Sequence, residues 1–162
     1  MKKYSLSSLC AVALLAGCAA YSPIPEGYTG PTATIRDSMR PLNRGANFFY
    51  LAKVDGNTIE NSLGRTRAAS SGQGFNMMYR IIERKVQAKP LVLTLVGRTA
   101  YAAPIMEIAM AAKMYSVDAT IEFTPAPDRV YVVMGVLEEG KAEIWLQDRE
   151  SGERVGKTVE PK

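Results

Sequence analysis

The chain has 162 residues, 47% of them hydrophobic and 22% charged, enough for one domain with a substantial core. Its net charge of +4 is weak, and no run of Lys and Arg interleaved with aromatics occurs, so no nucleic-acid partner is expected. It has no histidine and only two cysteines, Cys10 and Cys18, which excludes Ser-His-Asp and Cys-His catalysis and any zinc-ligand spacing. No cofactor, no metal and no enzymatic activity are expected.

The chain opens with Met1-Lys2-Lys3, an apolar stretch from Leu6 to Leu15, and Leu15-Ala16-Gly17-Cys18. The apolar stretch is about half of the roughly 20 residues a spanning helix needs. Lys2 and Lys3 are the charges that hold such an N-terminus in the cytoplasm. The arrangement resembles a bacterial lipoprotein signal peptide with Leu15, Ala16, Gly17 and Cys18 as its lipobox. The resemblance implies that residues 1–17 are removed and that Cys18 becomes a lipid-bearing N-terminus. At about 0.8 kcal/mol per buried methylene, two or three acyl chains such as palmitate anchor almost permanently. An ordinary secretory signal with an incidental cysteine is the alternative. Cys10 leaves with the signal and Cys18 is blocked, so the domain is expected to hold together by packing, without a disulfide. Ala19 follows Cys18 where inner-membrane lipoproteins of enteric bacteria often carry Asp. By that resemblance the expected address is the outer membrane, facing the periplasm.

Residues 18–31 hold Pro23, Pro25, Gly27, Gly30 and Pro31 and read as the lipidated N-terminus and a tether; extended, such a chain covers about 3 Å per residue. Residues 32–162 read as one domain of short strands. Thr32 to Asp37 alternates, with Ala33 and Ile35 on one face. Asn47 to Asp55 sets Phe48, Tyr50, Ala52 and Val54 on one side, Phe49 and Leu51 on the other. Asp55-Gly56-Asn57 is a turn, and Thr58 to Asn61 the return strand. Gly64 to Gly74, rich in Gly, Ser and Arg, reads as a surface loop. Phe75, Met77, Tyr79 and Ile81 alternate in a further strand, and Leu91, Leu93 and Leu95 in the next. Val117, Ala119, Ile121 and Phe123 alternate before the turn Pro125-Ala126-Pro127-Asp128. Val130 to Leu137 is apolar on both faces and reads as a central strand. Ala142 to Asp148 returns after Glu138 to Lys141, and Ser151-Gly152-Glu153 turns again. The expected fold is mainly β: an antiparallel β-sandwich of about seven or eight strands, with a small barrel as the alternative.

Pro104 to Met114 breaks the pattern with helix-forming residues behind a proline. Met106, Met110 and Met114 repeat every four residues and would share a helix face. Core packing is the expected role of that face, most of all for Met110; an adaptable surface for a partner and thioether copper binding are the other readings. Arg65-Thr66-Arg67, beside Ser70-Ser71-Gly72, has the planar forks that suit phosphate, carboxylate or glycan, or it is a solvated loop. Arg65, Arg67, Met106, Met110 and Met114 are therefore the candidate partner or ligand surface.

Val92-Leu93-Thr94-Leu95-Val96-Gly97-Arg98, Tyr101-Ala102-Ala103-Pro104-Ile105, Phe123-Thr124-Pro125, Tyr131-Val132-Val133 and Ile144-Trp145-Leu146-Gln147-Asp148 together resemble small proteobacterial lipoproteins of unknown function. Their domains are transthyretin-like or immunoglobulin-like sandwiches. The likeness runs from Phe48 to Val155 and implies fold and address, with no catalytic residue. The expected role is a lipid-anchored, non-catalytic interaction or accessory module with an envelope protein partner. The alternative is a module that binds a small ligand, a glycan, peptidoglycan or lipopolysaccharide.

Overall fold

The computed structural model describes residues 21–159. The expected signal peptide and lipidation site, with Leu15, Ala16, Gly17 and Cys18, lie outside the described residues.

Two sheets face each other. The first has the order β10 (Arg154–Val155), β9 (Lys141–Asp148), β8 (Val130–Glu138), β1 (Thr32–Arg36), β5 (Glu83–Gln87). The second runs β11 (Lys157–Val159), β7 (Ser116–Phe123), β6 (Leu91–Tyr101), β3 (Gly45–Val54), β2 (Ser38–Leu42), with β4 (Asn57–Thr58) paired to β3. Every pairing is antiparallel except β1 with β8, where Ile35 lies beside Tyr131. The fold is thus the expected mainly-β sandwich, and β8 is central. The described residues contain eleven strands instead of seven or eight. β2, β10 and β11 are short edge pieces that carry little hydrophobic alternation. β2 even contains Pro41, which an edge strand tolerates because no neighbour needs its missing N–H.

The core between the sheets takes one face from each long strand: Ala33 and Ile35, Leu91, Leu93 and Leu95, Ile121, Tyr131 and Val133, and Leu146. Phe49 and Leu51 enter the same core, and so does Val54. Strict alternation would put Val54 with Phe48 and Tyr50. A β-bulge at Ala52, where the register against β6 shifts between Leu51 and Lys53, moves it to the inner face. The Phe49 ring is tightly enclosed: a Cβ on Gly135 of β8 in the facing sheet would sit 2.5 Å from its Cε1, and one on Gly97 of the neighbouring strand β6 3.3 Å from its Cδ1. At the far side of β3, Asn47 donates across the sandwich to the Leu137 carbonyl (2.9 Å) and accepts from Thr99 Oγ1 (2.7 Å). The turn Asp55-Gly56 has φ of 49° and 79°, the left-handed pair of a two-residue hairpin that glycine supplies freely.

The expected loop from Gly64 to Gly74 is instead largely a helix, α1 (Ser62–Ser70), capped by the Asn61 side chain accepting from Gly64 N at 2.9 Å. The expected strand through Phe75, Met77, Tyr79 and Ile81 is not part of either sheet. The two corrections have one cause. The N–H groups of Met78, Arg80 and Ile82 donate to Ser70 Oγ, Thr66 Oγ1 and Ser62 Oγ at 2.8, 2.9 and 2.8 Å. Every second residue of an extended chain (about 6.6 Å) matches every fourth residue of a helix (about 6 Å). The segment is extended and alternates, with Met77 and Tyr79 packed on Phe48, but its ladder is made of helix hydroxyls. α1 docks through Ser62, Thr66 and Ser70 with Leu63 beside them, so it shows no apolar stripe. Together α1 and this segment cover the outer face of β3, where Ala46, Phe48, Tyr50, Leu63 and Ala100 form a second buried cluster.

Asp37 sits where the chain crosses from β1 to β2 and is fully buried. Its carboxylate accepts from Leu51 N (3.1 Å), Ser62 N (2.9 Å), Ser62 Oγ (2.8 Å) and both Arg84 Nη atoms (2.8 Å each). One side chain therefore ties β5, β3 and the start of α1 together.

Candidate interaction surface

β1, β8, the Asp55-Gly56 turn, the Ala88–Pro90 turn and the Pro125–Asp128 turn place Thr32 at one end of the sandwich. Asp128 N donates to Thr32 O (2.8 Å) and Ala88 N to Pro31 O (2.9 Å) at this end. Residues 21–31 arrive here without regular structure. Tyr28 N donates to Pro25 O (3.2 Å), and the Tyr28 ring lies on Gly30 with its hydroxyl donating to Pro31 O. The opposite end carries the β2–β3 turn at Asn43-Arg44, the C-terminus of β6 and the insertion that follows it. The 11-residue strand β6 runs between the two ends, about 35 Å at roughly 3.3 Å per residue.

The insertion is a short helix α2 (Pro104–Ala109) and a 3-10 turn at Ala111–Lys113. Proline at its first turn starts α2, and Met110, at φ −107°, ends it. The three methionines therefore do not share one continuous helix face. None is buried: Met106, Met110 and Met114 are all half-exposed, which corrects the expectation that this face, and Met110 above all, belongs to the core. The exposed apolar side chains of α2 are others, Ile105 at 60% and Ile108 at 73%.

Arg65 and Arg67 lie on the exposed side of α1. Arg65 pairs with Glu60 at 2.5 Å in solvent, away from α2. Arg67 reaches Glu107 of α2 at 2.9 Å and joins the two helices. Of the expected surface, then, Arg67 is tied to α2, which carries Met106 and ends at Met110, whereas Arg65 pairs with Glu60 and Met114 lines the groove on β6 and β7. Glu107 shares α2 with Ile105 and Ile108. The same end gathers two further exposed hydrophobics, Phe75 at 52% and Met78 at 41%. Arg44 lies over the Phe75 ring at 5.6 Å, and its carbonyl accepts from Ala102 N (3.0 Å), which brings the turn, the Phe75 segment and α2 to one site. Arg80 donates to Tyr79 O (3.0 Å) beside them. Among the described residues, neither Arg44 nor Arg80 has a carboxylate within ion-pair distance. The sequence did hold a signal for part of this surface, Ile105 and Ile108 three apart in a short helix beside the more regular methionine spacing. The join to Phe75 and Arg44 had none, because those residues are far apart in the chain.

Below this end lies an open groove of about 470 Å3 on the outer face of β6 and β7, lined by Lys53, Arg98, Met114, Tyr115, Ser116 and Asp118 among others. Tyr50 is 8% exposed in the neighbouring cluster. Burial pushes its phenol pKa up from 10.0, against the pull of Arg98 and Arg67, with Asp37 adding a smaller push upward. Among the described residues, no three of His, Cys, Asp and Glu gather as metal ligands.

No protein-family model matches the chain, no curated protein matches it, and no solved structure matches its fold.

Proposed function

We propose that this chain is an envelope lipoprotein, anchored through Cys18 in the outer membrane facing the periplasm, and that its domain acts without catalysis as an interaction module. The observation that carries the reading is the exposed cluster of Phe75, Met78, Ile105 and Ile108, placed at the end of the sandwich opposite the entry of the chain at Thr32. Four large apolar side chains gathered at one end are a surface made for a partner. A chain that enters at one end leaves the other end pointing away from its anchor. The lipobox-like residues Leu15, Ala16, Gly17 and Cys18 supply the anchor in this reading.

Two measurements test it. Labelled palmitate is expected in the wild-type chain, and Cys18→Ser is expected to leave an unlabelled precursor. A photo-crosslinker at Ile108 is expected to give a discrete protein adduct in intact cells, and one at exposed Val92, near the anchor end, none. Normal processing and membrane retention of Cys18→Ser, or equal crosslinking from both positions, would remove the reading.

The groove favours a second reading, a small-ligand or glycan module. Lys53 and Arg98 offer charge for an anion beside the Tyr115 ring. Saturable binding of peptidoglycan fragments or lipopolysaccharide, lost in Arg98→Ala, is its expected signature.

A further inference from the structure

We infer that the end formed by Phe75, Met78, Ile105 and Ile108 docks an acidic amphipathic segment of a partner protein, and that Arg44 is its charge-reading residue. The inference rests on the anchored-module reading and names the chemistry of the partner. The apolar side chains come from two places in the chain, the segment after α1 and α2, and both lie at the end away from Thr32. Ile105 and Ile108 are three apart on α2 and stand together on its outer side, while half-buried Glu107 is drawn to Arg67. The one carboxylate that α2 carries is thereby neutralised. Arg44 and Arg80, in contrast, have no carboxylate partner among the described residues. The charged groups shown unpaired beside these apolar side chains, Arg44 and Arg80, are thus positive, and the complement they select is apolar with negative charge.

Arg44 adds a second, independent observation. It holds φ at 56°, in the left-handed region where glycine or asparagine is ordinary. Its carbonyl bond to Ala102 N needs only the backbone, which glycine would supply without strain. What glycine would not supply is the guanidinium over Phe75. A side chain kept at a backbone position that disfavours it, over the ring of an exposed phenylalanine, is placed for recognition. Strand addition does not compete at this end, because Pro41 removes a donor from the β2 edge.

The test uses the full chain in detergent with three probes: a synthetic Leu–Glu amphipathic peptide, its Leu–Lys counterpart, and phosphatidylglycerol vesicles. The Leu–Glu peptide is expected to bind and to weaken as salt rises, and the Leu–Lys peptide to stay free. Ile108→Asp and Arg44→Gly are each expected to weaken binding about tenfold. Arg44→Gly is also expected to melt no lower than wild type, which separates recognition from folding. Equal binding of both peptides, or affinity unchanged in both variants, overturns the proposal. So does vesicle binding that Ile108→Asp abolishes, since the occupant is then a lipid surface. Palmitate labelling at Cys18 tests the anchored-module reading alone, so either can fail without the other.

Discussion

Asp37 shows how much one side chain can decide. A fully buried carboxylate is unfavourable by itself, and this one is made stable by a bidentate arginine and three further donors. Asp37→Ala removes the acceptor and leaves Arg84, whose side chain is 9% exposed, charged and unpaired. The expected cost is about 3–5 kcal/mol, read from urea unfolding, a large share of the stability of a small domain. A loss below about 1 kcal/mol would mean that water reaches Arg84 once Asp37 is gone. Tyr50 gives a pH-dependent counterpart. Burial raises its pKa above the ordinary 10.0, so the folded state holds the phenol proton more tightly than the unfolded chain does. Its contribution is complete below pH 10 and is lost as pH rises through the folded-state value. Wild type is therefore expected to lose stability more steeply than Tyr50→Phe above pH 10, in urea midpoints measured along a pH series. Parallel curves would show that the folded state does not hold this phenol neutral.

At the scale of elements, the pairing of α1 with the segment from Met78 to Ile82 is the least ordinary feature. Three hydroxyls replace the edge of a sheet as acceptors for Met78, Arg80 and Ile82. Thr66→Val keeps the shape of a side chain that is fully buried and removes the acceptor for Arg80 N together with the long bond (3.5 Å) that Thr66 Oγ1 donates to Arg80 O. The N–H then loses its partner at a part-buried site, and a loss of about 1 kcal/mol is expected in thermal or urea unfolding. Hydrogen exchange at Arg80 is expected to rise with it. Unchanged exchange there would show that another acceptor takes over. The ladder also explains the mismatch with the sequence pattern: hydroxyl acceptors leave no mark in hydrophobicity, so α1 reads as a polar loop and its partner as an ordinary strand.

At the scale of the whole molecule, one aromatic ring of the core fills a tight gap between the two sheets. Phe49 projects from β3 between Gly97 of its own sheet and Gly135 of the facing one. Gly135→Ala would place a methyl carbon 2.5 Å from Phe49 Cε1 and 2.6 Å from the Glu143 carbonyl oxygen, so the ring must turn and the β8–β9 pairing must shift. Overpacking of this kind costs about 1–3 kcal/mol, expected as a lower melting temperature. Phe49→Leu in the same chain is expected to recover part of the loss, since the two changes share one contact. A double variant no more stable than the sum of the single losses would place the strain elsewhere. The molecule also has a direction, with the entry of residues 21–31 at one end and the exposed apolar surface at the other. In the proposed reading, that direction holds the exposed side chains away from the lipid.

The long strands were legible in the chain because each buries one face in a continuous core, and burial imposes period two on residues such as Leu91, Leu93 and Leu95. The turn at Asp55-Gly56 was legible because few residues accept positive φ in succession. The lipobox-like start is read from local chemistry alone, and the structure does not bear on it. The rest needed the tertiary structure. The bulge at Ala52, the hydroxyl ladder of α1 and the donors around Asp37 are set by partners distant in sequence, and local pattern carries no trace of them. The half-exposed position of Met110, where core packing was expected, follows from the end of α2 at Ala109, one residue before it. The apolar surface belongs to the same class: Arg44 meets Phe75 and Ala102, just ahead of α2, only when β3 and β6 pair and carry their ends together.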